Sequence, residues 1–228
     1  MYSTYHKIET LYERDEVTHK LKEPLLLKNP IYGALRDWHW TEKIDGTNIR
    51  CLWDQAQRKV TFGGRSDNAQ IHADLVKWLY ENVREDRLVL AFPEVDAVIY
   101  GEGYGAGIQK GGNYSPTKKF IIFDVFIVDT VNSRLGGWWL NWDSTVDVCD
   151  KLELDKVPFV GQLTLDEASQ FVRHGFGSFL PGATAPAEGL VGRPVETLYD
   201  KKGHRLITKL KTKDFASEAR RAEPRTRR

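Results

Sequence analysis

Six stretches of this chain are built from β-branched and aromatic residues in lengths suited to strands: TNIRCLW (47–53), KVTFGG (59–64), AVIYGEGY (97–104), KFIIFDVFIV (119–128), GLVGRPVETLY (189–199) and RLITKLK (205–211). The first two flank the polar turn Asp54–Arg58 and read as a hairpin. Only three helical patterns interrupt the strands. Ile71, Leu75, Trp78, Leu79 and Val83 recur at helical spacing behind the capping candidates Ser66, Asp67 and Asn68. A second helix is expected over Asp143–Leu152. A third starts at Thr164, where Thr164 and Glu167 form a capping box, and ends near Gly175. The Gly/Ala/Pro-rich stretch Gly175–Pro186 reads as a mobile loop. Strands and helices do not alternate, so the pattern selects α+β with antiparallel sheets flanked by helices over a βαβ fold.

With 228 residues, 41% hydrophobic and 29% charged, the chain suits one sizeable soluble core, or a domain with a small appendage. It has no run of about 18 apolar residues, and no membrane-spanning helix is expected. The opening MYSTYHKIETLYERDE lacks the apolar centre of a secretory signal. Cys51 and Cys149 are the only cysteines, which argues for a reducing, cytoplasmic setting. Net charge is +1, so bulk charge does not point to nucleic acid. The ending RRAEPRTRR is strongly basic, either a solvated tail or a phosphate-binding arm.

Several familiar chemistries are excluded. GEGYGAG (101–107) resembles part of a dinucleotide fingerprint but lacks the helix that must follow. There is no P-loop, no G-x-S-x-G elbow, and no histidine or cysteine spacing suited to structural zinc.

The stretch TEKIDGTNIR (41–50) places Lys43 between Glu42 and Asp45. A free lysine, of pKa about 10.4, is neutral in roughly one molecule in a thousand near neutral pH. A nucleophilic lysine therefore needs burial or neighbouring cations, and either its flanking carboxylates point elsewhere or the residue is only an ion-paired lysine. On a strand, Lys43 and Asp45 would share one face and Glu42 and Ile44 the other. Gly46 allows a tight turn or a close approach to a ligand. Lys209 and Lys211, two apart, would face one way on a strand, either as two solvated lysines on an edge strand or as a pair held around an anion such as a triphosphate.

Taken in order, these stretches resemble the covalent nucleotidyltransferases, which include ATP-dependent DNA ligases, RNA ligases and mRNA capping enzymes. Lys43-x-Asp45-Gly46 is similar to the nucleophile motif, GGRS (63–66) to the arginine motif and YGEGYG (100–105) to the glutamate motif. FIIFDVF (120–126) is similar to the aromatic strand motif, and EGLV (188–191) and KLK (209–211) to the last two. Asn48, where DNA ligases and capping enzymes usually carry arginine, and Glu42 before the lysine resemble the nick-sealing RNA ligases, including small phage-type members. The GIQKGG segment (107–112) resembles that branch as well.

The resemblance implies an adenylyltransferase domain over residues 1–215 and a basic tail over 216–228. It implies ATP as substrate with Mg2+ or Mn2+, and RNA bearing 5′-phosphate and 3′-hydroxyl ends as partner. A phage-type enzyme would act in the host cytoplasm. Lys43 would attack the α-phosphate and become lysyl-AMP. Glu42 would help read adenine, Asn48 and Arg65 would contact the sugar–phosphate side, Glu102 would hold the ribose and Phe123 would stack on the base. Glu188 would help hold the metal, and Lys209 and Lys211 would grip the phosphates. Only Thr212–Arg228 follow the last motif, too few for the OB-fold domain many relatives carry. The alternatives are a small DNA ligase, or a nucleotide- or nucleic-acid-binding module that kept the fold. Trp138, Trp139 and Trp142 could stack on bases, although core packing is the ordinary fate of such residues.

Overall fold

The computed structural model describes residues 4–109, 113–129 and 136–215. In chain order its strands are β1 Glu9–Thr10, β2 Trp38–Glu42, β3 Thr47–Asp54, β4 Lys59–Gly63, β5 Asp96–Tyr104, β6 Lys119–Val128, β7 Gly137–Trp139, β8 Phe159–Leu163, β9 Gly189–Pro194 and β10 Thr208–Lys211. Its α-helices are α1 Ala73–Asn82, α2 Glu85–Ala91, α3 Trp142–Leu152 and α4 Leu165–His174, and a 3-10 turn covers Pro30–Ala34. The described chain divides into two compact units, one comprising 4–6, 44–157 and 180–185, the other 7–43, 158–179 and 186–215.

The first unit holds an antiparallel sheet of order β4-β3-β5-β6-β7. The expected hairpin is β3–β4, and Asp54 Oδ1 accepts the Gln57 N–H at 2.8 Å within its turn. Ile49, Cys51 and Trp53 of β3 pack with Leu75 and Leu79 of α1, Leu88 of α2, and Val148, Cys149 and Leu152 of α3. The helices thus cover one face, and both cysteines are buried there as unpaired thiols. A second cluster takes Ile44, Tyr104, Ile121, Trp142 and Leu180. Ile121 and Ile122 fall in different clusters, as period-two alternation requires. Of the three tryptophans, Trp142 is core, Trp139 is half-buried among other rings and Trp138 is exposed.

The second unit holds a sheet of order β1-β10-β9-β2-β8, antiparallel apart from the short β1–β10 pair. Trp38 and Trp40 of β2, Leu190 of β9 and Leu210 of β10 pack against Ala168 and Val172 of α4. The capping box is present: Thr164 Oγ1 accepts the Glu167 N–H, and Glu167 accepts the Thr164 N–H at 2.8 Å.

Some expectations move. The N-cap of α1 is His72, with Asp74 N–H donating to its Nδ1, and not Ser66, Asp67 or Asn68. The two-turn helix α2 was not anticipated, nor were β1, β2, β7 and β8. Of the 189–199 and 205–211 stretches, only Gly189–Pro194 and Thr208–Lys211 form the strands β9 and β10, and outside them Tyr199 and Arg205 make an isolated antiparallel bridge. The stretch 175–186 forms no helix or strand, but it is anchored by buried Leu180 and Ala185 and a Gly177–Pro186 bridge. The basic tail, 216–228, and part of the 107–112 segment lie outside the described residues. No helix among the described residues is long and apolar enough to cross a membrane.

Candidate active site

Three neighbouring strand ends of the second unit build a lysine–carboxylate cluster. The Lys43 N–H donates to the Gly189 carbonyl at 2.9 Å, extending the β2–β9 ladder one step past β2. Gly189 pairs with Lys211 across β9–β10. At Gly189, φ is +151°, and a Cβ there would lie 2.0 Å from the Leu210 carbonyl oxygen, so only glycine permits this approach. Glu188, immediately before it, is thereby fixed beside both lysines. Its Oε2 accepts from Lys43 Nζ and its Oε1 from Lys211 Nζ, each at 2.5 Å. All three side chains are largely shielded, with 23%, 16% and 19% exposure for Lys43, Glu188 and Lys211. Burial alone would raise the Glu188 carboxyl; the charges and hydrogen bonds of the two lysines outweigh it and hold the group below its ordinary value.

The carboxylate beside Lys211 is that of Glu188, which Lys43 also engages. Lys209 is half-buried on the same strand. Burial, assisted by the charges of Lys211 and Lys43 and opposed by those of Glu188 and Glu9, lowers its ammonium to about 8. The unfolded chain keeps the ordinary value of 10.5. Charged Lys209 thus burdens the fold below about pH 8, and that burden fades as pH rises toward 10.5. Urea midpoints measured across this window should rise with pH in the wild type relative to Lys209→Met. Parallel profiles would show that Lys209 titrates as an ordinary lysine.

The carboxylates flanking Lys43 do not pair with it. Glu42 is 1% exposed, and its Oε2 accepts the Phe179 N–H at 2.8 Å. Burial pushes the Glu42 carboxyl up, which hydrogen bonds from Ser178 and Phe179 only partly offset. Its Oε1 is buried with no hydrogen-bond partner among the described residues, an arrangement that points to a ligand donor. The alternation expected around Lys43 holds in burial, with Glu42 and Ile44 inside, although β2 itself ends at Glu42.

The other expected residues lie in the first unit. Asn48 of β3 and Glu102 of β5 are direct cross-strand partners. Asn48 Oδ1 is a second buried acceptor with no partner among the described residues. Phe123 of β6 is half-buried, whereas Phe120 is buried in the helix-covered cluster. Gly46 makes a close approach, but to the protein itself: a Cβ there would lie 2.2 Å from the Gly103 carbonyl oxygen. GEGYGAG leads from β5 through a turn toward antiparallel β6, not into a helix.

Arg65 is exposed, and the loop carrying it is held by a residue the sequence reading passed over. Arg50 of β3, 1% exposed, donates from Nε to the Gly64 carbonyl and from Nη2 to Asp67 Oδ1, both at 2.8 Å. A buried guanidinium is tolerated only with such partners, and here both belong to the loop bearing Arg65. An arginine between apolar Ile49 and Cys51 was the available signal.

No group of three or more His, Cys, Asp or Glu side chains able to hold a metal occurs among the described residues. Glu188 is one carboxylate among three lysines. That donor set fits a hydrated divalent ion carried mainly by phosphate oxygens, not a protein-built cage.

A family model described as RNA ligase matches residues 36–211. No curated protein sequence matches the chain. Among solved structures, the fold is similar to Naegleria gruberi RNA ligase with PPi, at TM-score 0.61 and 16% identity, covering 97% of this chain and 64% of that one. A mutant of that ligase with ATP and Mn gives TM-score 0.60 at 14% identity, covering 96% and 62%. An apo mutant form gives 0.61 at 15%, covering 92% and 60%. The chain thus spans about three-fifths of the length of these proteins, and at such identities the likeness is one of fold.

Proposed function

The chain belongs to the RNA ligase family, and from that premise we propose that it is an ATP-dependent RNA ligase working through lysyl-AMP. The observation carrying the proposal is the convergence of Lys43 and Lys211 on Glu188, with Lys209 beside them. Surplus positive charge around one amine, with a single carboxylate to spare, suits capture of a triphosphate.

In the first step Lys43 Nζ gives up a proton and its contact with Glu188 and attacks the α-phosphorus of ATP. The N–P bond forms, the α–β anhydride breaks and pyrophosphate leaves. Lys209 and Lys211 neutralise the phosphates; Lys209, with its lowered ammonium, gains an anionic partner there. A divalent ion, when bound through Glu188 and phosphate oxygens, would neutralise further charge on the triphosphate. Glu42 offers its unpartnered Oε1, and Asn48 its Oδ1, to donors of the nucleotide. Glu102 holds the ribose, Arg65 contacts the sugar–phosphate side and Phe123 stacks on adenine. In the second step an RNA 5′-phosphate oxygen attacks lysyl-AMP and frees Lys43. In the third a 3′-hydroxyl attacks that 5′-phosphate and AMP leaves. We assign these steps to a domain over 1–215 acting in the cytoplasm.

Sealing assays on 5′-phosphate/3′-hydroxyl nicks in RNA and in DNA, run side by side, test the assignment. RNA joining in excess over DNA joining is expected. Preferential DNA sealing would point to the DNA-ligase alternative, and no sealing of either to a binding module.

The base contact has its own test. Phe123→Ala should weaken ATP use by about 1–3 kcal/mol, the usual worth of base–aromatic stacking, while Phe123→Leu keeps apolar contact and more activity. Adenylylation kinetics unchanged in Phe123→Ala would remove Phe123 from the base site.

A further inference from the structure

Tyr5, the second described residue, is buried at 7% exposure. Its hydroxyl donates to Asp124 Oδ2 at 2.7 Å, and Asp124 is fully buried. Its ring meets Phe123 edge-on, with centroids 5.0 Å apart and planes at 71°. Phe123 and Asp124 are consecutive in β6, and consecutive strand residues ordinarily point to opposite faces. One side chain touches both because the β5–β6 register slips there. Tyr100 pairs with Asp124 and Gly101 with Ile122, which leaves Phe123 as the unpaired residue of a bulge. Tyr100, at 4.9 Å, and Trp139, at 5.5 Å and 87°, also pack against the Tyr5 ring.

We propose that Tyr5 is a positioning residue for the nucleotide site: it clamps the bulge so that Phe123 is presented to the adenine base. The proposal rests on the reading of Phe123 as the stacking residue. A bulge gives up regular ladder bonding, so its geometry needs support from elsewhere. The hydroxyl fixes the Asp124 side of the bulge, and the ring restricts the Phe123 phenyl. A phenyl already held for stacking loses less freedom when the base arrives. Tyr5 acts on the nucleotide only through Phe123.

The test is a double-mutant cycle on lysyl-AMP formation, using Tyr5→Ala, Phe123→Ala and the pair, with ATP varied and thermal midpoints recorded. Aromatic pairs of this geometry are worth enough to raise the KM for ATP about threefold to tenfold in Tyr5→Ala. Maximal rate should stay within about twofold, because the effect falls on binding. In the Phe123→Ala background, Tyr5→Ala should add no further rise in KM, since the ring to be positioned is gone. Tyr5→Phe, which keeps the ring but loses the Asp124 contact, should raise KM less than Tyr5→Ala does. If Tyr5→Ala does not fold, Tyr5→Leu takes its place in the same cycle. An equal KM rise in both backgrounds, or an unchanged KM in a folded Tyr5→Ala or Tyr5→Leu protein, overturns the proposal. A wild-type protein that forms no adduct overturns the underlying reading, and the proposal with it.

Discussion

Lys43→Ala should abolish covalent nucleotide capture while leaving the protein folded. The amine that would carry the phosphoramidate is gone, so the expected loss is complete, not graded. The fold should tolerate the change because Lys43 is partly exposed and Glu188 keeps Lys211 as partner. Lys43→Arg should fail as completely, since a guanidinium of pKa above about 12 does not release a proton to become a nucleophile. Circular dichroism and urea midpoints close to wild type, together with no adduct on a denaturing gel, are the expected pair of results. An adduct of undiminished yield in either variant would place the chemistry elsewhere.

Glu188→Gln comes next in size. The amide keeps the shape of the side chain but removes the charge that both Lys43 and Lys211 engage. Lys43 and Lys211 then lose the carboxylate they share, and a divalent ion held through Glu188 would lose its protein anchor. Electrostatic contributors of this kind are worth about 10²–10³ in rate, which is the expected fall in adenylylation. Stability should fall too, and the loss should shrink with added salt as repulsion among the lysines is screened. Single-turnover adenylylation at several salt concentrations provides the measurement. A rate equal to wild type would make Glu188 a structural tether only.

What the sequence made legible was local. The β3–β4 hairpin announces itself by a polar turn between apolar strands, and α4 by Thr164 and Glu167 three residues apart. The order of motifs from Lys43 to Lys211 was readable because each motif is a short run. Elements with weak local signals were missed. Helix α2 has only two turns and no side-chain cap, and β7 and β8 are short. β2 carried a signal in its Trp38-His39-Trp40 alternation, with both tryptophans turned into the core.

The residues of the lysine–carboxylate cluster could be named from the sequence, but their arrangement could not. Lys43 and Glu188 are 145 residues apart, and nothing local shows that one carboxylate is shared by Lys43 and Lys211. Arg50 was passed over because its partners, Gly64 and Asp67, become neighbours only when β3 and β4 pair. Tyr5, 119 residues from Asp124, depends on a register slip that no sequence period announces.

The central claim, that Lys43 becomes covalently nucleotidylated, is tested most directly by incubating the protein with α-labelled ATP and magnesium and following label through denaturing electrophoresis and peptide mapping. The account predicts one AMP per chain, on Lys43, discharged when pyrophosphate is added back. Absence of any covalent label, or label on a peptide lacking Lys43, would contradict it.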